Sequence, residues 1–354
     1  MAEICFILSS FERGGITRSI IELSKELANY TSLEFAFFEN RTSIDNSLIQ
    51  GTSLQIPAPT YYFQKVFVGV KRYRAMSKYL NREKCKVLIC ADVSTSLLGW
   101  IFSIFHPKLK VIGSCHVGKR LLTFQDRLII RFIFPRLSDV VVPSENVARE
   151  LLGIQKRSVI KVIYNMLPLS ACENPWPKPD LVEDFFLYFG RFSPEKNPLH
   201  FLNMALNDPK TKYVMCGEGP NLEYCKKFAR DNNIENISFE GYQPANYVMS
   251  RAKLLILPST TESFGISILE AWIQGIPILA SCEAEGFSEL ASKVNTGTSM
   301  PLSRPILEWV TIAHLIANEP LSDDISRKVL DQFHPTSVIL DWLKLLDISI
   351  HDEK

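Results

Sequence analysis

The sequence predicts an α/β protein made of two Rossmann-like units, and three observations lead to this fold class. Short runs rich in Val, Ile and Leu alternate with segments of helical periodicity, which indicates parallel sheets covered by helices on both faces. The alternation stops in a proline-rich stretch near the middle of the chain and then restarts. A chain of 354 residues also exceeds one ordinary core, so we expect two domains.

The first half of the chain predicts one Rossmann-like domain over residues 1–167. A helical segment, SIIELSKELANY, follows the first apolar run, and another, SENVARELLG, opens at Ser144, a residue type favoured as an N-cap. The strand candidates are, in order, EICFILSS, LEFAFFE, KVLICAD, KVIGSCH, DVVVPS and KVIYNML.

The second half predicts a similar domain over residues 184–334. Four prolines between the halves predict an extended linker at 168–183, because proline continues neither a helix nor a central strand. After His334–Pro335, residues 336–354 predict a final helix whose packing partner stays open, with the first domain as one candidate. The strand candidates of this half are FFLYFGRF, KYVMCGEG, ISFEGY, KLLILPS and PILAS.

Composition excludes several classes of protein. A net charge of +1 gives no indication of a nucleic-acid partner. The eight cysteines form no CxxC pair, so we expect buried, reduced thiols and no zinc site. The uncharged, largely apolar stretch 93–105 is shorter than a membrane-spanning helix, and MAEICFILSS lacks the basic segment and cleavage site of a signal peptide. We therefore expect a cytoplasmic protein, free or at the inner face of a membrane.

Three loops that follow strand candidates are candidate ligand sites, because ligands of parallel α/β sheets lie beyond the carboxyl ends of the strands. Gly14 and Gly15 precede a helix and would let a ligand approach the backbone, although a plain tight turn fits equally well. Arg191 and Lys196, in GRFSPEKNP, could bind phosphate oxygens or be two solvated cations. Gly217, in CGEGPNLEY, lies in a common type of turn.

The stretch TESFGISILEAWIQGIPILAS, residues 261–281, places Glu262 and Glu270 at either end of an otherwise apolar or small segment. We predict a helix from Phe264 onward, which separates the two acids by about 10 Å. Either they cap the helix and lie at its surface, or they face a polar ligand, and the apolar character of the run favours the second interpretation. The helix would offer an anion the first backbone N–H groups, those near Phe264, Gly265 and Ile266.

His116 is the one histidine at the carboxyl end of a strand candidate. A lone histidine there is commonly a structural, hydrogen-bonded residue. Together with the other loops it becomes a candidate for contact with a ligand hydroxyl or for charge stabilisation.

With these loops in order, the sequence resembles the retaining GT-B glycosyltransferases of glycosyltransferase family four over nearly its whole length. PSTTESFGISILEAWIQGIPILAS carries the strongest likeness and matches the family's E-x7-E segment. GRFSPEKNP resembles the "GR…K" loop, and ISFEGY, which ends at Tyr242, resembles the strand before the base-binding turn. Two positions depart from the pattern: Val117 follows His116 where the family often has Asp, and Glu285 stands where a glycine is common.

The resemblance implies the GT-B architecture, in which two Rossmann-like domains face each other across a cleft. The first domain would serve the acceptor and the second would bind the nucleotide sugar. The implied activity is retaining transfer of a hexose from a UDP- or GDP-sugar to a saccharide or lipid-linked saccharide in lipopolysaccharide or capsule biosynthesis. No D-x-D motif is present, so neither a metal nor another cofactor is expected beyond the donor substrate.

The resemblance also implies roles for the candidate residues. Arg191 and Lys196 would neutralise the leaving diphosphate, and Glu270 would hold the ribose hydroxyls. Glu262 would contact the donor sugar, with His116 across the cleft. The backbone and side-chain contacts that complete the donor site would come from Gly14, Gly15, Gly217, Tyr242, Phe264, Gly265 and Ile266.

Two other functions share this architecture and stay open at this point. A nucleotide-sugar 2-epimerase would need additional acids and histidines, and a non-catalytic protein would bind a nucleotide sugar without transferring it. Two stretches, 61–82 and 118–136, combine basic and aromatic residues. Each fits either a helix packed on its own domain or a segment docked on an anionic membrane surface.

Overall fold

The computed structural model describes residues 3–11, 14–40, 51–56, 64–83, 85–155, 160–173, 184–319 and 321–349. The chain divides into two compact units. The first comprises Met1–Met166 together with Val338–Lys354, and the second comprises Leu167–Ser337. No helix among the described residues is both long and apolar enough to cross a bilayer.

The first unit contains a seven-stranded parallel sheet of order β3-β2-β1-β4-β5-β6-β7. Its strands are β1 (Ile4–Phe11), β2 (Leu33–Asn40), β3 (Gly51–Ser53), β4 (Val87–Cys90), β5 (Lys110–Ser114), β6 (Asp139–Val142) and β7 (Ile160–Val162). Its helices are α1 (Gly15–Leu27), α2 (Gln64–Glu83), α3 (Val93–Phe105), α4 (Phe124–Phe132) and α5 (Glu145–Leu152).

The second unit contains a six-stranded parallel sheet of order β10-β9-β8-β11-β12-β13. Its strands are β8 (Phe185–Phe189), β9 (Lys212–Cys216), β10 (Ile237–Gly241), β11 (Leu254–Leu257), β12 (Ile278–Ser281) and β13 (Thr298–Met300). Its helices are α6 (Leu169–Glu173), α7 (Pro198–Asn207), α8 (Leu222–Asp231), α9 (Ala245–Met249), α10 (Ile266–Ile273), α11 (Glu285–Val294), α12 (Ile306–Ala317) and α13 (Asp323–Phe333). A last helix, α14 (Pro335–Leu346), leads from the second unit back to the first.

Local sequence signals account for most of these elements. The residues of β11 and β12 are all buried, which explains their unbroken apolar composition. Helix α1 buries Ile20, Leu23 and Leu27, which the helical period brings onto one stripe. The Ser144 side chain accepts a hydrogen bond from the Val147 N–H, so the predicted N-cap of α5 is confirmed. The predicted α/β fold class is confirmed.

Helix α14 belongs to the core of the first unit. Its residues Val338, Ile339, Trp342 and Leu343 are buried in a hydrophobic cluster with side chains of β1 and α1. Burial of these side chains in the first unit stabilises α14. It also identifies the packing partner of this helix, which the sequence analysis left open.

The structure corrects two predicted boundaries. Residues Leu169–Glu173, assigned to an extended linker, form helix α6, which begins after Pro168 and buries Ala171. Proline is compatible with a helix start, so it does not prevent this turn; the rest of the predicted linker, 174–183, lies outside the described residues. Helix α10 begins at Ile266 rather than Phe264, because Gly265 adopts a left-handed backbone conformation (φ 89°).

Each sheet has a topological switch point, where the order in which strands are added reverses. In the first unit this point lies between β1 and β4, and in the second between β8 and β11. Loops that leave adjacent strands on opposite sides of a switch point open a crevice at the carboxyl edge, where ligands of such sheets bind. These two points therefore determine where the functional residues are to be sought.

Candidate functional site

The loop after β8 holds Lys196 in a fixed position. Residues Pro194–Lys196 form one 3₁₀ turn, and Asn197 ends it in the left-handed conformation (φ 48°). The buried hydroxyl of Tyr188 donates to the Arg191 carbonyl at 2.8 Å. Burial raises the pKa of Tyr188 well above its ordinary value, so the hydroxyl keeps its proton and remains a donor. The loop is thus fastened to the sheet beneath it.

The loop after β11 is joined to the loop after β8 at the switch point. The Thr260 N–H donates to the Glu195 carbonyl at 2.8 Å. The Lys196 Nζ donates to Glu262 Oε2, and the two side chains are only 26% and 12% exposed. A pair screened from water in this way interacts more strongly than an exposed one. Lys196 is therefore a positioned cation rather than a freely solvated one, whereas Arg191 is exposed.

Glu262 is supported from behind by a residue that the sequence analysis did not single out. The Gly286 N–H, in the first turn of α11, donates to the Glu262 carbonyl at 2.8 Å. A Cβ on Gly286 would lie 2.7 Å from that carbonyl oxygen and 2.7 Å from the Phe264 nitrogen, which is closer than side chains pack. The stretch EGFSE at 285–289 contains this glycine. The sequence does not show that Gly286 contacts Glu262, because the two residues belong to different segments of the chain.

Helix α10 points its amino end into the same region. Gly265 is its N-cap and follows Phe264 in the loop that also carries Glu262. The first backbone N–H groups of an α-helix have no acceptors within the helix and carry partial positive charge. The amides near Ile266 and the Lys196 ammonium are therefore suited to bind an anion.

Glu270 lies in the second turn of α10 and is fully buried. Because its exposed fraction is 0%, the interpretation of Glu270 as an ordinary surface residue is wrong. Burying a carboxylate is unfavourable unless polar groups interact with it.

Gly217 and Tyr242 extend the site along the edge of the same sheet. The Gly217 N–H donates to the Gly241 carbonyl at 2.6 Å, which joins the ends of β9 and β10, and the next residue, Tyr242, is 55% exposed. Gly217 has φ 139°, and a Cβ there would meet the Gly190 oxygen at 1.9 Å. The carboxyl ends of β10, β9, β8 and β11 thus carry, in spatial order, Tyr242, Gly217, Arg191 with Lys196, and Glu262.

The first unit places its candidates at its own switch point and beside it. Gly14 is the N-cap of α1 and Gly15 its first residue, and a Cβ on either would meet no atom of the described residues within 4 Å. Among those residues, nothing crowds the backbone of this turn. His116 follows β5, and burial lowers its pKa to about 4, with the charge of Asp92 acting in the opposite direction. At neutral pH His116 is uncharged, which suits a hydroxyl contact better than stabilisation of negative charge.

Asp92 was also missed as a candidate, although ADVSTS follows a predicted strand. Its carboxylate accepts from the Ser9 N–H and the Thr95 N–H, each at 2.9 Å, and from the hydroxyls of Ser9 and Ser94. Asp92 therefore caps α3 and joins the ends of β1 and β4. Within the described part of the chain, no group of three His, Cys, Asp or Glu side chains is arranged to hold a metal ion.

Comparison with solved structures defines the class of fold. HepE from Anabaena, in a crystal structure in complex with UDP and glucose, superposes with a TM-score of 0.80 at 15% sequence identity, covering 98% of this chain and 100% of HepE. WaaG, described as a glycosyltransferase involved in lipopolysaccharide biosynthesis, superposes with a TM-score of 0.69 at 13% identity, covering 93% of this chain and 94% of WaaG. The chain has the GT-B fold of two Rossmann-like domains.

Two family models together cover most of the sequence. The model for glycosyltransferase family 4 matches residues 13–170, and the model for glycosyl transferases group 1 matches residues 177–329. The chain therefore belongs to the glycosyltransferases of this family, as the E-x7-E segment indicated.

Curated relatives resemble the chain over different lengths. The 2-deoxystreptamine N-acetyl-D-glucosaminyltransferase of Niallia circulans is 31% identical over 103 residues, which is 27% of this chain and only 26% of that enzyme. An α-1,4-N-acetyl-D-galactosaminyltransferase of Campylobacter jejuni, which acts on an undecaprenol-diphosphate-linked saccharide, is 22% identical over 98% of both chains.

Proposed function

We propose that this protein transfers a hexose, with retention of configuration and without a metal ion, from a UDP- or GDP-sugar to a saccharide or lipid-linked saccharide. The reaction would serve cell-surface glycan biosynthesis on the cytoplasmic side of the membrane. The observation that carries the proposal is the Lys196–Glu262 pair, positioned beside the amino end of α10 at the β8/β11 switch point.

The second unit would bind the donor. Breaking the bond between the sugar and the diphosphate leaves negative charge on the leaving group. Lys196, Arg191 and the backbone amides at the amino end of α10, near Phe264, Gly265 and Ile266, would stabilise that charge, and Lys196 is already positioned to do so without reorganising. This support comes from groups of the chain, so the proposed chemistry does not require a metal clamp.

The other residues of the second unit would recognise the sugar and the nucleoside. Glu262 would accept hydrogen bonds from the hydroxyls of the donor sugar, and Glu270 from those of the ribose. Exposed Tyr242, beside Gly217 on the neighbouring strand ends, would contact the base.

The first unit would serve the acceptor, and its own loops carry further candidate contacts. The open turn at Gly14 and Gly15 would let a phosphate oxygen approach the backbone. His116, neutral at pH 7, would contact a sugar hydroxyl. That HepE, with the same fold, was crystallised with UDP and glucose, and that the Campylobacter relative acts on a lipid-linked saccharide, supports both halves of the proposal.

A melting screen against UDP- and GDP-sugars tests donor binding. A donor at 100 times its Kd should raise the unfolding free energy by about 2.7 kcal/mol, which is readily measured as a shift in Tm. No shift with any nucleotide sugar would contradict the proposal. The donor that binds should then be incubated alone, because formation of its epimer would identify an epimerase instead.

Transfer itself is tested by Lys196→Ala, with Lys226→Ala as the matched control. Lys226 is a lysine of the same unit that pairs with Glu223 on the surface of α8. Loss of a fixed cation at the leaving group should lower kcat by about 100-fold or more, whereas the control should keep full activity. Equal activity of the two variants would contradict the proposed role of Lys196.

NMR of the product anomer tests retention of configuration, and turnover in excess chelator tests independence from a metal ion.

A further inference from the structure

Helix α4 exposes an unusual amount of apolar surface. Phe124 is 76% exposed, Phe132 52%, Leu128 39% and Leu121, just before the helix, 43%. We call these four side chains the α4 surface. Scattered exposed hydrophobic residues are normal in proteins, but a contiguous group marks a site of interaction.

The exposed residues form one stripe rather than a random set. Phe124, Leu128 and Phe132 are four residues apart, so they lie within about 80° of one another around the helix axis and span about 12 Å along it. Ile130, on the opposite side, is fully buried in a cluster with Leu122 and Phe134. The helix is therefore anchored by one side and presents the other to solvent.

The helix is also well formed at its start, so the exposure is not a consequence of fraying. The Thr123 hydroxyl accepts from the Asp126 N–H, and the Asp126 side chain accepts from the Thr123 N–H at 2.9 Å. This capping box stabilises the first turn of α4. It also engages the Asp126 carboxylate in hydrogen bonds with Thr123.

Cations surround the stripe, and nearby acids are already engaged. Arg127 and Arg131 are exposed along one flank of the stripe, and the Arg131 guanidinium lies 5.8 Å from the centre of the Phe132 ring. Neither arginine forms an ion pair with a carboxylate of the described residues. Glu150 accepts the Lys119 N–H at 2.7 Å. Further exposed cations of the same segment are Lys119, Arg120 and Arg136.

The other basic and aromatic stretch of the sequence behaves differently. In α2, Met76, Tyr79 and Leu80 are buried against the sheet of the first unit. Helix α2 also exposes Phe67 (63%) and Val70 (44%), but its buried face holds three large side chains, whereas Ile130 is the one α4 side chain that is fully buried among the described residues. For α4, packing accounts for Ile130 and the partly buried Ile129, and it leaves the exposed stripe without a described partner.

We propose that the α4 surface docks on an anionic lipid bilayer. An amphipathic helix with aromatic and aliphatic side chains on one stripe and arginines beside it lies in the membrane interface, where apolar burial and attraction to anionic headgroups add together. The arginine side chains also reach from the apolar zone back to the headgroups. Charge complementarity selects an anionic surface rather than an apolar protein face. This docking does not depend on donor binding, although it would bring the proposed transferase to a lipid-linked acceptor.

The test is co-sedimentation of the full chain with vesicles of phosphatidylcholine, with and without phosphatidylglycerol. We expect binding to the vesicles that contain phosphatidylglycerol, and weaker binding as salt is raised. The double variant Phe124→Gln/Phe132→Gln and the double variant Arg127→Gln/Arg131→Gln should each reduce the partition coefficient by about tenfold or more. The control is Leu307→Gln/Leu315→Gln, which removes two leucines of the second unit that are 61% and 60% exposed; it should bind as the wild type does.

Two results would overturn the proposal. One is wild-type protein that stays in the supernatant with anionic vesicles. The other is loss of a dimer in Phe124→Gln/Phe132→Gln with vesicle binding unchanged, which would assign the surface to self-association. Circular dichroism and Tm of each variant establish that it is folded. The vesicle assay contains no nucleotide sugar, so its result is independent of whether the proposed transferase activity is correct.

Discussion

The two switch points have the same topology but different chemistry. Between β1 and β4, the acid Asp92 is satisfied by backbone amides and hydroxyls, and the nearby His116 is neutral. Between β8 and β11, the acid Glu262 is paired with a cation beside the amino end of a helix. The first arrangement is suited to neutral hydroxyl groups and the second to an anion. The fold alone therefore supplies two crevices, and the side chains decide what each can bind.

The glycines at the carboxyl edges of the two sheets differ as much as the acids. Gly217→Ala should destabilise the second unit by about 3 kcal/mol or more, or prevent folding, because a Cβ at φ 139° would lie 1.9 Å from the Gly190 oxygen. Gly15→Ala should leave stability unchanged or raise it by up to about 1 kcal/mol, since Gly15 is the first residue of α1 and has open space around it. Thermal unfolding of both variants measures the contrast, and equal shifts in Tm would contradict it.

Neutral variants of Glu262 and Asp92 distinguish the proposed catalytic role of the first from the structural role of the second. Glu262→Gln should lower sugar transfer by about 100-fold but leave UDP binding unchanged or tighter, because Lys196 would lose its competing carboxylate. Asp92→Asn should instead lower stability by about 1 kcal/mol, with UDP affinity unaffected, because an amide nitrogen cannot accept the hydrogen bonds that one carboxylate oxygen of Asp92 accepts. Calorimetric UDP titration, transfer assays and thermal unfolding distinguish these outcomes. If Asp92→Asn abolished UDP binding while remaining folded, the assignment of the anion to the second unit would be wrong.

His116 and His200, one in each unit, both have lowered pKa values and are expected to differ least between the units. The pKa of His116 is lowered to about 4 from an ordinary value of 6.5, so the unfolded chain binds more protons between those values. Stability should therefore be fully present above pH 6.5 and fall as the pH drops toward 4, by about 2 kcal/mol at pH 5 for this group.

His200 in the second unit has the same lowered pKa and the same sign. Unfolding at pH 7 and pH 5 should show a smaller loss for His116→Gln than for the wild type, and a similarly reduced loss for His200→Gln. An unchanged pH dependence in His116→Gln would show that this histidine is not held neutral by the fold.

Several parts of the site could be predicted because their signals are local. Each of the predicted residues of the second unit lies in the loop that follows a short apolar run, and the carboxyl ends of parallel strands share one edge of the sheet. These residues are Arg191, Lys196, Gly217, Tyr242 and Glu262. The placement of these residues at strand ends is observed. Their roles toward a donor stay predictions.

Other features could not be predicted because they join distant segments. Lys196 and Glu262 are 66 residues apart, and the Gly286 N–H bonds to Glu262 from a helix that follows a further strand. Neither contact leaves a periodic pattern in the sequence. Helix α6 was missed for a different reason. The prolines around it predict an extended linker, and a helix of five residues is too short to show a helical period.

By itself, the sequence determined the alternation of strands and helices, the cap at Ser144 and the candidate loops, because hydrophobic periodicity and capping depend on contiguous residues. Only the tertiary structure decided the strand order, the partner of Lys196, the burial of Glu270 and the packing of α14 on the first unit. These features depend on which apolar faces meet when the chain collapses. The hydrophobic effect favours burial of apolar surface but does not specify which segments of the sequence pack together.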